Sequence, residues 1–486
     1  MNTSELVVFI IYLVFMIGIG VYFFLRSKGA NEKDYFLGGR QMGAWVSALS
    51  AGASDMSAWV LMGLPASAFA AGMGQTWIAI GLAIGYALSW IFEAPRLRRF
   101  SIEANDSITI PQYLTNRFLS RSKALQIICA VIFIFAYTIY AASSIKACGT
   151  LFNTVIGMDA TVAMYIAAAI IIGYTFLGGF SAVCWTDFFQ GLLMLAALLI
   201  APIFALTMIN GSTSETVEAI EAGYWSFTGS WKDIASGLGW GLGYFGMPHI
   251  IIRFMSVRSQ KELRKSSVIG ISWTLIILTM SVAAGAVGRV MSSRSIIEIT
   301  DSATVFIQMT RSIFPPVISG ILLSAILAAS MSTADSQLLA SASAFASDVY
   351  KPVFRKQASD REMLWAGRIV VMIIAVIALL IAANPGSDTI MGLVSNAWGV
   401  FGAAFGPVIM LSLFWRRLTF AGAAAGIVTG ALVDILWLAF LSSTGLYEII
   451  PGFFCGLIAT VAASLMTPAP GKDVLALFDR ATRSEK

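Results

Sequence analysis

The sequence predicts an all-α polytopic membrane protein with about 13 transmembrane helices, built as a five-plus-five inverted repeat with one helix before it and two after. Three observations predict this. Apolar runs of about 20 residues, the length that crosses a bilayer core, recur along the whole 486-residue chain, which is 58% hydrophobic and only 12% charged. Lysine and arginine gather in alternate connections. Two of the apolar runs are spoiled midway by glycine, serine or proline, and these two open matching groups of five. Barrel strands would read as short alternating segments, a pattern the sequence lacks.

In chain order, the spans fall at 6–25, 43–70, 76–94, 124–150, 161–178, 185–208, 232–254, 266–290, 317–345, 364–382, 390–413, 420–440 and 448–467. The first has no basic flank before it and no small-residue cleavage pattern after it, so it reads as a retained helix rather than a signal peptide. An odd number of spans puts the two ends of the chain on opposite sides. With the N-terminus outside, the inside loops hold 24 of the 31 Lys and Arg residues, and the outside loops hold only Arg294 and Arg311. Basic residues favour the cytoplasmic side, so the N-terminus is expected outside and the C-terminus inside. The net charge of +5 follows from this bias and needs no nucleic-acid partner. Cys129, Cys148, Cys184 and Cys455 are too scattered for a disulfide framework or a metal site. No stretch is long and polar enough for a fused soluble domain, and no Walker or dinucleotide fingerprint occurs. The outside segment "GSTSETVEAIEAGYWSFTG" is expected to form a small surface helix.

The first spoiled run contains "ALSAGASDMSAWVLMGLP", residues 48–65, with a charged Asp55 in the middle. Backbone groups left unpaired in lipid cost several kcal/mol each, so a helix unwinds there only where the break lines a site. Freed carbonyls then hold a cation, and half-helix ends hold a charged substrate. The second spoiled run, "GLGWGLGYFGMPH", covers Gly237 to His249. Paired breaks in matching positions of two halves point to a transporter site. The halves are 43–208 and 232–413, the second inverted because five is odd; 6–25, 420–440 and 448–467 are peripheral. A third element, "LSAILAASMSTADSQLLASASAF", places adjacent Ser332 and Thr333 hydroxyls in an apolar helix, with the Ala329 carbonyl one turn back. Small hard cations take several such oxygens.

The stretches "DYFLGGR", "ALSAGASDMS", "MGLP", "SWTL", "GWGLGYFGMPHIIIRFM", "GILLSAILAASMST" and "LYEIIPGFF" resemble the bacterial sodium/proline symporters of the sodium/solute symporter family, nearly end to end. The resemblance implies a LeuT fold, sodium-coupled uptake of L-proline by alternating access, and the bacterial plasma membrane. It implies a co-transported sodium ion held by the carbonyls of Ala53, Met56 and Ala329 and the hydroxyls of Ser332 and Thr333. Asp55 would serve sodium coupling. Ser57, Tyr140, Trp240 and Tyr244 would bind substrate, and Arg40 and Asp187 would act in gating at the inner mouth. The sequence departs from close enterobacterial relatives at Ala58 and Gln75, and Asp335 is an additional acid beside the expected sodium hydroxyls. Membrane lipid is the expected surrounding, with no obligate protein partner and no enzymatic activity.

Two other readings compete. One is the same fold carrying pantothenate or another amino acid. The other is an intramembrane hydrolase using Ser54 or Ser57 with His249, the only histidine, which otherwise reads as a structural helix-end residue. Lys146 and Asp434 are charges in or near spans with no assigned role. The orientation is checked directly: a reporter fused after Lys486 is expected in the cytoplasm and one at Asn2 outside. Two reporters on one side would overturn the odd span count.

Overall fold

The computed structural model of the chain describes residues 3–26, 32–177, 179–209 and 223–483. These residues are almost entirely helical; beyond helices they contain one isolated bridge, Met42 to Val257. Ten of their helices are long and apolar enough to cross a membrane. The three remaining expected spans are helical too: 161–178 is the helix Ala160–Leu177, and 43–70 and 232–254 are each interrupted. Most of the expected surface helix at 211–229 lies outside the described residues.

The interruptions fall where glycine, serine and proline predict them. The first segment is a helix Ala44–Asp55, a break at Met56 and Ser57, a short turn Ala58–Val60 and a second helix Gly63–Ala71. Ser57 is extended (φ −60°, ψ −171°) and its side chain caps the turn by accepting from the Trp59 N–H. The second segment runs Trp231–Gly239, then a tight turn Trp240–Phe245, then a break before the helix Pro248–Ser256. A capping box of Ser230 and Asp233 starts it, and Pro248 restarts it after the break, where a missing N–H costs nothing.

Burial separates a core from a rim. The helix Pro316–Phe345 runs through the middle, with 83% of its membrane-length window buried, against 28% for Phe420–Thr444 and Ile449–Met466 and 17% for Thr3–Phe23. Helices that face lipid expose apolar side chains, which the bilayer solvates, so the rim needs no polar cover. Glycine lets the broken segments approach their neighbours. A methyl at Gly85 would stand 2.1 Å from the Gly241 carbonyl oxygen, and one at Gly241 would stand 2.3 Å from that of Gly81. The helix Thr76–Leu88 and the second break are therefore in backbone contact. A side chain at Gly52 would likewise meet the Trp273 ring at 2.6 Å.

At the end of the bundle that carries residues 32–43, a terminal helix Lys472–Thr482 lies across Ala94–Glu103. Phe478 packs edge-on to Phe100, and Arg416–Asp479 (2.8 Å) and Arg480–Glu103 (3.1 Å) flank it. The glycine interlock carries a test. Gly85→Ala forces rigid backbone apart, so it is expected to lower stability by about 1–3 kcal/mol, read as a lower unfolding temperature in detergent. An unchanged unfolding temperature would mean the two backbones are not in contact.

Candidate functional site

A helix that ends inside a membrane leaves its last carbonyls without intrahelical partners. The helix Ala44–Asp55 satisfies them from four other parts of the chain. The Ala53 carbonyl accepts from the Ser332 hydroxyl at 2.8 Å. The Ser54 carbonyl faces His249 Nε2 at 3.1 Å. The Asp55 carbonyl accepts from Trp59 Nε1 at 3.2 Å and the Tyr140 hydroxyl at 3.3 Å. The Ser332 hydroxyl also lies 3.2 Å from the Ala329 carbonyl. Ala53, Ala329 and Ser332 are thus joined at hydrogen-bond distance, and Thr333 follows on the same fully buried turn. The Thr333 hydroxyl is buried with no hydrogen-bond partner among the described residues. Met56 occupies the break itself, at the end of the helix.

The Asp55 side chain is fully buried. Its Oδ2 accepts from the Tyr244 hydroxyl at 2.6 Å, and its Oδ1 has no partner among the described residues. Tyr244 therefore binds the first break from the second, with its ring against Tyr86 and Trp398. Trp240 packs between Trp59, Tyr447 and Trp398, at 6.3, 5.2 and 6.4 Å between ring centroids. Ser57, Tyr140, Trp240 and Tyr244 thus all sit at the two breaks. An arrangement of buried hydroxyls, freed carbonyls, one carboxylate and aromatic faces suits a small cation beside a small zwitterion.

Asp187 lies nearby, in the interior. It is 0% exposed and pairs with Arg253 at 3.0 Å. The same carboxylate oxygen accepts from Ser50 at 2.7 Å. Arg253 further donates to Ser50, to the Ser336 hydroxyl and to the His249 carbonyl. Ser336 reaches Asp335 Oδ1 at 3.2 Å, so the additional acid belongs to this network.

Arg40 is placed apart from the breaks. It follows Gly38 and Gly39, and all three have positive φ (61°, 60° and 56°). A left-handed conformation is unfavourable for a side-chain-bearing residue, so contacts must hold it there. Its guanidinium donates to Asp106 Oδ1 (2.9 Å), Ser101 (3.1 Å), the Ser107 carbonyl (2.8 Å) and the Met255 carbonyl (2.6 Å). Burial pushes the Asp106 carboxyl up, but Lys33 and Arg40 outweigh it and hold it below the ordinary carboxylate range. The residues on either side of Arg40 are also tied across: the Met42 N–H donates to the Ser256 carbonyl, and the Arg258 N–H to that of Met42. This end of the bundle is latched.

The geometry removes the hydrolase reading. His249 Nε2 faces a backbone carbonyl, and the Ser54 hydroxyl is turned back to the Ala51 carbonyl at 3.2 Å. No nucleophile–base pair forms there. Lys146 caps the Ser387–Asp388 loop. Asp434 is buried among glycines, beside Gly399 and Gly452.

The model for the Sodium:solute symporter family matches residues 35–430. The chain belongs to that family. It is 43% identical over 461 residues to the high-affinity proline transporter PutP of Bacillus subtilis, covering 94% of this chain and 97% of that one. The osmoregulated proline transporter OpuE of the same organism is also 43% identical, with 96% of each chain covered. The sodium/proline symporter of Staphylococcus aureus is 42% identical, covering 97% and 94%. Among solved structures, a Na+-coupled sialic acid symporter in a substrate-bound outward-open state superposes with a TM-score of 0.80 at 22% identity, over 96% of this chain and 99% of that one. Mhp1, a nucleobase-cation-symport-1 family transporter, gives 0.57 at 14% identity, over 91% and 97%. The fold is therefore that of the LeuT class, and the molecule is a multi-pass membrane protein rather than an enzyme.

Several residues of this symporter's site were not picked out by sequence reading: Ser50, Tyr137, Arg253, Ser336 and Trp59. The one available signal was Arg253, a charge inside the second broken run, which by default deserves a partner. Arg253→Met leaves Asp187 buried without its cation, and is expected to cost about 3–5 kcal/mol of stability. The double variant Arg253→Met with Asp187→Leu should recover most of it, read by thermal unfolding in detergent. A double variant as unstable as the single would show that the ion pair is not the cause.

Proposed function

We propose that this chain is a sodium-coupled importer of L-proline in the bacterial plasma membrane, crossing it 13 times with the N-terminus outside and the C-terminus in the cytoplasm. The observation that carries the reading is the contact between the first break and the Ala329–Thr333 turn. Ala53, Ala329 and Ser332 offer oxygens already at hydrogen-bond distance, and Thr333 adds a hydroxyl with no partner among the described residues. The membership of the family and the names of the proline-transporting relatives support the same substrate and ion.

In this reading residues 43–208 and 232–413 form the two inverted halves, and the breaks meet between them. Sodium takes the oxygens of Ala53, Met56, Ala329, Ser332 and Thr333, with Asp55 supplying the nearby negative charge. Proline lies between Ser57, Tyr140, Trp240 and Tyr244. Its carboxylate suits the restarted N-terminus after a break, its ammonium suits freed carbonyls, and its ring suits the aromatic faces. Arg40 latches the inner end against Asp106 and Met255 and must release for substrate to leave. Asp187, held by Arg253, links the sodium turn to the second broken segment.

The ion and the substrate share one unwound stretch, so each tightens the other by the same factor. One sodium with one zwitterionic proline moves one net charge. A potential of about 100 mV then contributes ~2.3 kcal/mol, and a tenfold sodium gradient ~1.4 kcal/mol. Together these permit accumulation of roughly 500-fold. In proteoliposomes, added L-proline should give an inward current with sodium and none without it, and pantothenate or other amino acids should not compete. Thr333→Ala should raise the sodium concentration needed for half-maximal uptake at least about tenfold, the loss of one charge-assisted ligand. Proline uptake indifferent to sodium and potential would refute the symport reading, and an unshifted sodium requirement in Thr333→Ala would remove that residue from the site.

A further inference from the structure

At the latched end of the bundle, the short run Arg96, Arg98 and Arg99 is used unevenly. Arg96 donates to the Leu413 carbonyl at 2.8 Å and stacks over Phe414. Arg98 donates to the Val257 and Arg258 carbonyls at 2.7 and 2.9 Å. Arg99 makes no hydrogen bond or ion pair with any described residue, although its Nε is buried from solvent. It lines a cleft of about 450 Å³ between the helices Ala94–Glu103 and Gln260–Ser293, and Arg264 lines the opposite wall. Arg264 is also unpaired among the described residues.

The nearby acids are committed elsewhere. Glu262 is shared between Arg258 (3.4 Å), Lys265 (3.2 Å) and the Ala44 N–H (3.1 Å). Glu103 pairs with Arg480 at 3.1 Å. Glu93 is fully buried and turned onto Ser89 at 2.8 Å. A buried donor without an acceptor is costly, and two like charges facing one cleft repel. Both penalties vanish if an anion lies between Arg99 and Arg264. Ser267 lines the same cleft, and Gln260 in the first turn of Gln260–Ser293 places a helix N-terminus beside it, which also favours negative charge.

What borders the cleft tells which anion. Ile91 is part of its wall and is 52% exposed; Phe92 and Val268, the next residues on each helix, are 53% and 68% exposed. Such apolar exposure on membrane helices marks the lipid-facing surface. The cleft therefore has acyl chains on one side and two uncommitted guanidiniums on the other. We propose that it is a binding site for an acidic phospholipid, with the phosphate between Arg99 and Arg264 and an acyl chain along Ile91 and Phe92. Basic pockets between membrane helices take acidic headgroups in this way. A zwitterionic lipid brings its own ammonium into a site that already has two cations. The lipid would clasp the helix that supplies Ser101 and Arg98 to the one that follows the second broken segment.

The test reads binding without transport. The purified full chain in detergent is titrated with short-chain phosphatidylglycerol, phosphatidylcholine or inorganic phosphate, and its unfolding temperature is followed. Phosphatidylglycerol should raise it saturably, and phosphatidylcholine should not. Arg99→Gln and Arg264→Gln should each weaken the half-saturating concentration about fivefold, whereas Lys472→Gln, an exposed cation elsewhere, should leave it unchanged. Arg264 is on the surface, so its variant decides the matter even if Arg99→Gln does not fold. A phosphatidylglycerol response untouched by Arg264→Gln would overturn the site. Inorganic phosphate reproducing the full response would overturn the lipid as its occupant.

Discussion

The architecture depends on one constraint: a helix that stops in the middle of a bilayer must have its last carbonyls satisfied by protein, because lipid offers no hydrogen bonds. The helix Ala44–Asp55 stops there. Its freed carbonyls are met by Ser332 from the central helix, His249 from the second broken segment, Tyr140 from Ala124–Ile156 and Trp59 from its own continuation. Two of these partners are themselves fixed, Tyr137 accepting from the His249 backbone N–H at 2.9 Å and Ser332 lying fully buried in a central helix. The packing of helices that look independent in sequence is thus imposed by the needs of three consecutive carbonyls.

Buried charge adds a second requirement of the same kind. Asp187 and Arg253 would each be expensive alone in this interior, and the pair is supported by Ser50, which donates to Asp187 Oδ2, and by Ser336 and the His249 carbonyl, which take further guanidinium protons, while Asp187 Oδ1 has no partner among the described residues. The network touches Ser50 one turn and a half before Asp55 and Ser336 one turn after Ser332, so it ties the helix leading into the break to the central helix. Backbone contact at Gly81, Gly85 and Gly241 holds the second break equally close. Side chains on the rim helices Thr3–Phe23, Phe420–Thr444 and Ile449–Met466 are mostly exposed to lipid and carry few such obligations.

Much of this was legible in the sequence, because a membrane imposes a length on every apolar run and forbids breaks without cause. The all-helical membrane fold and both interruptions followed from those rules, and the family resemblance assigned Ser332 and Ala53, which lie at hydrogen-bond distance, to one expected site. Ends were less legible: 266–290 became Gln260–Ser293, since a helix continues past the hydrocarbon wherever capping residues such as Ser259 allow it. The partners of each site residue were illegible for a different reason. Tyr244 reads as an aromatic for a ligand, yet its hydroxyl is given to Asp55, 189 positions away. Asp187 reads as a residue near a span end, but Arg253 draws it into the interior. Spacing along a chain carries no record of which distant side chain will take a buried proton or charge.

The single histidine has one more consequence. A carbonyl can only accept, so the contact with Ser54 puts a proton on Nε2, while Nδ1 pairs with the Tyr137 hydroxyl at 3.2 Å. The imidazole is therefore oriented through both ring nitrogens, wedged between the unwound stretch and the helix Ala124–Ile156. Since the chain contains no other histidine, uniform nitrogen-15 labelling of that residue type yields a spectrum from one ring. Its two nitrogen frequencies form a native optical bench for the break: they register any rearrangement of Ser54 or Tyr137 without a mutation, a dye or a spin label.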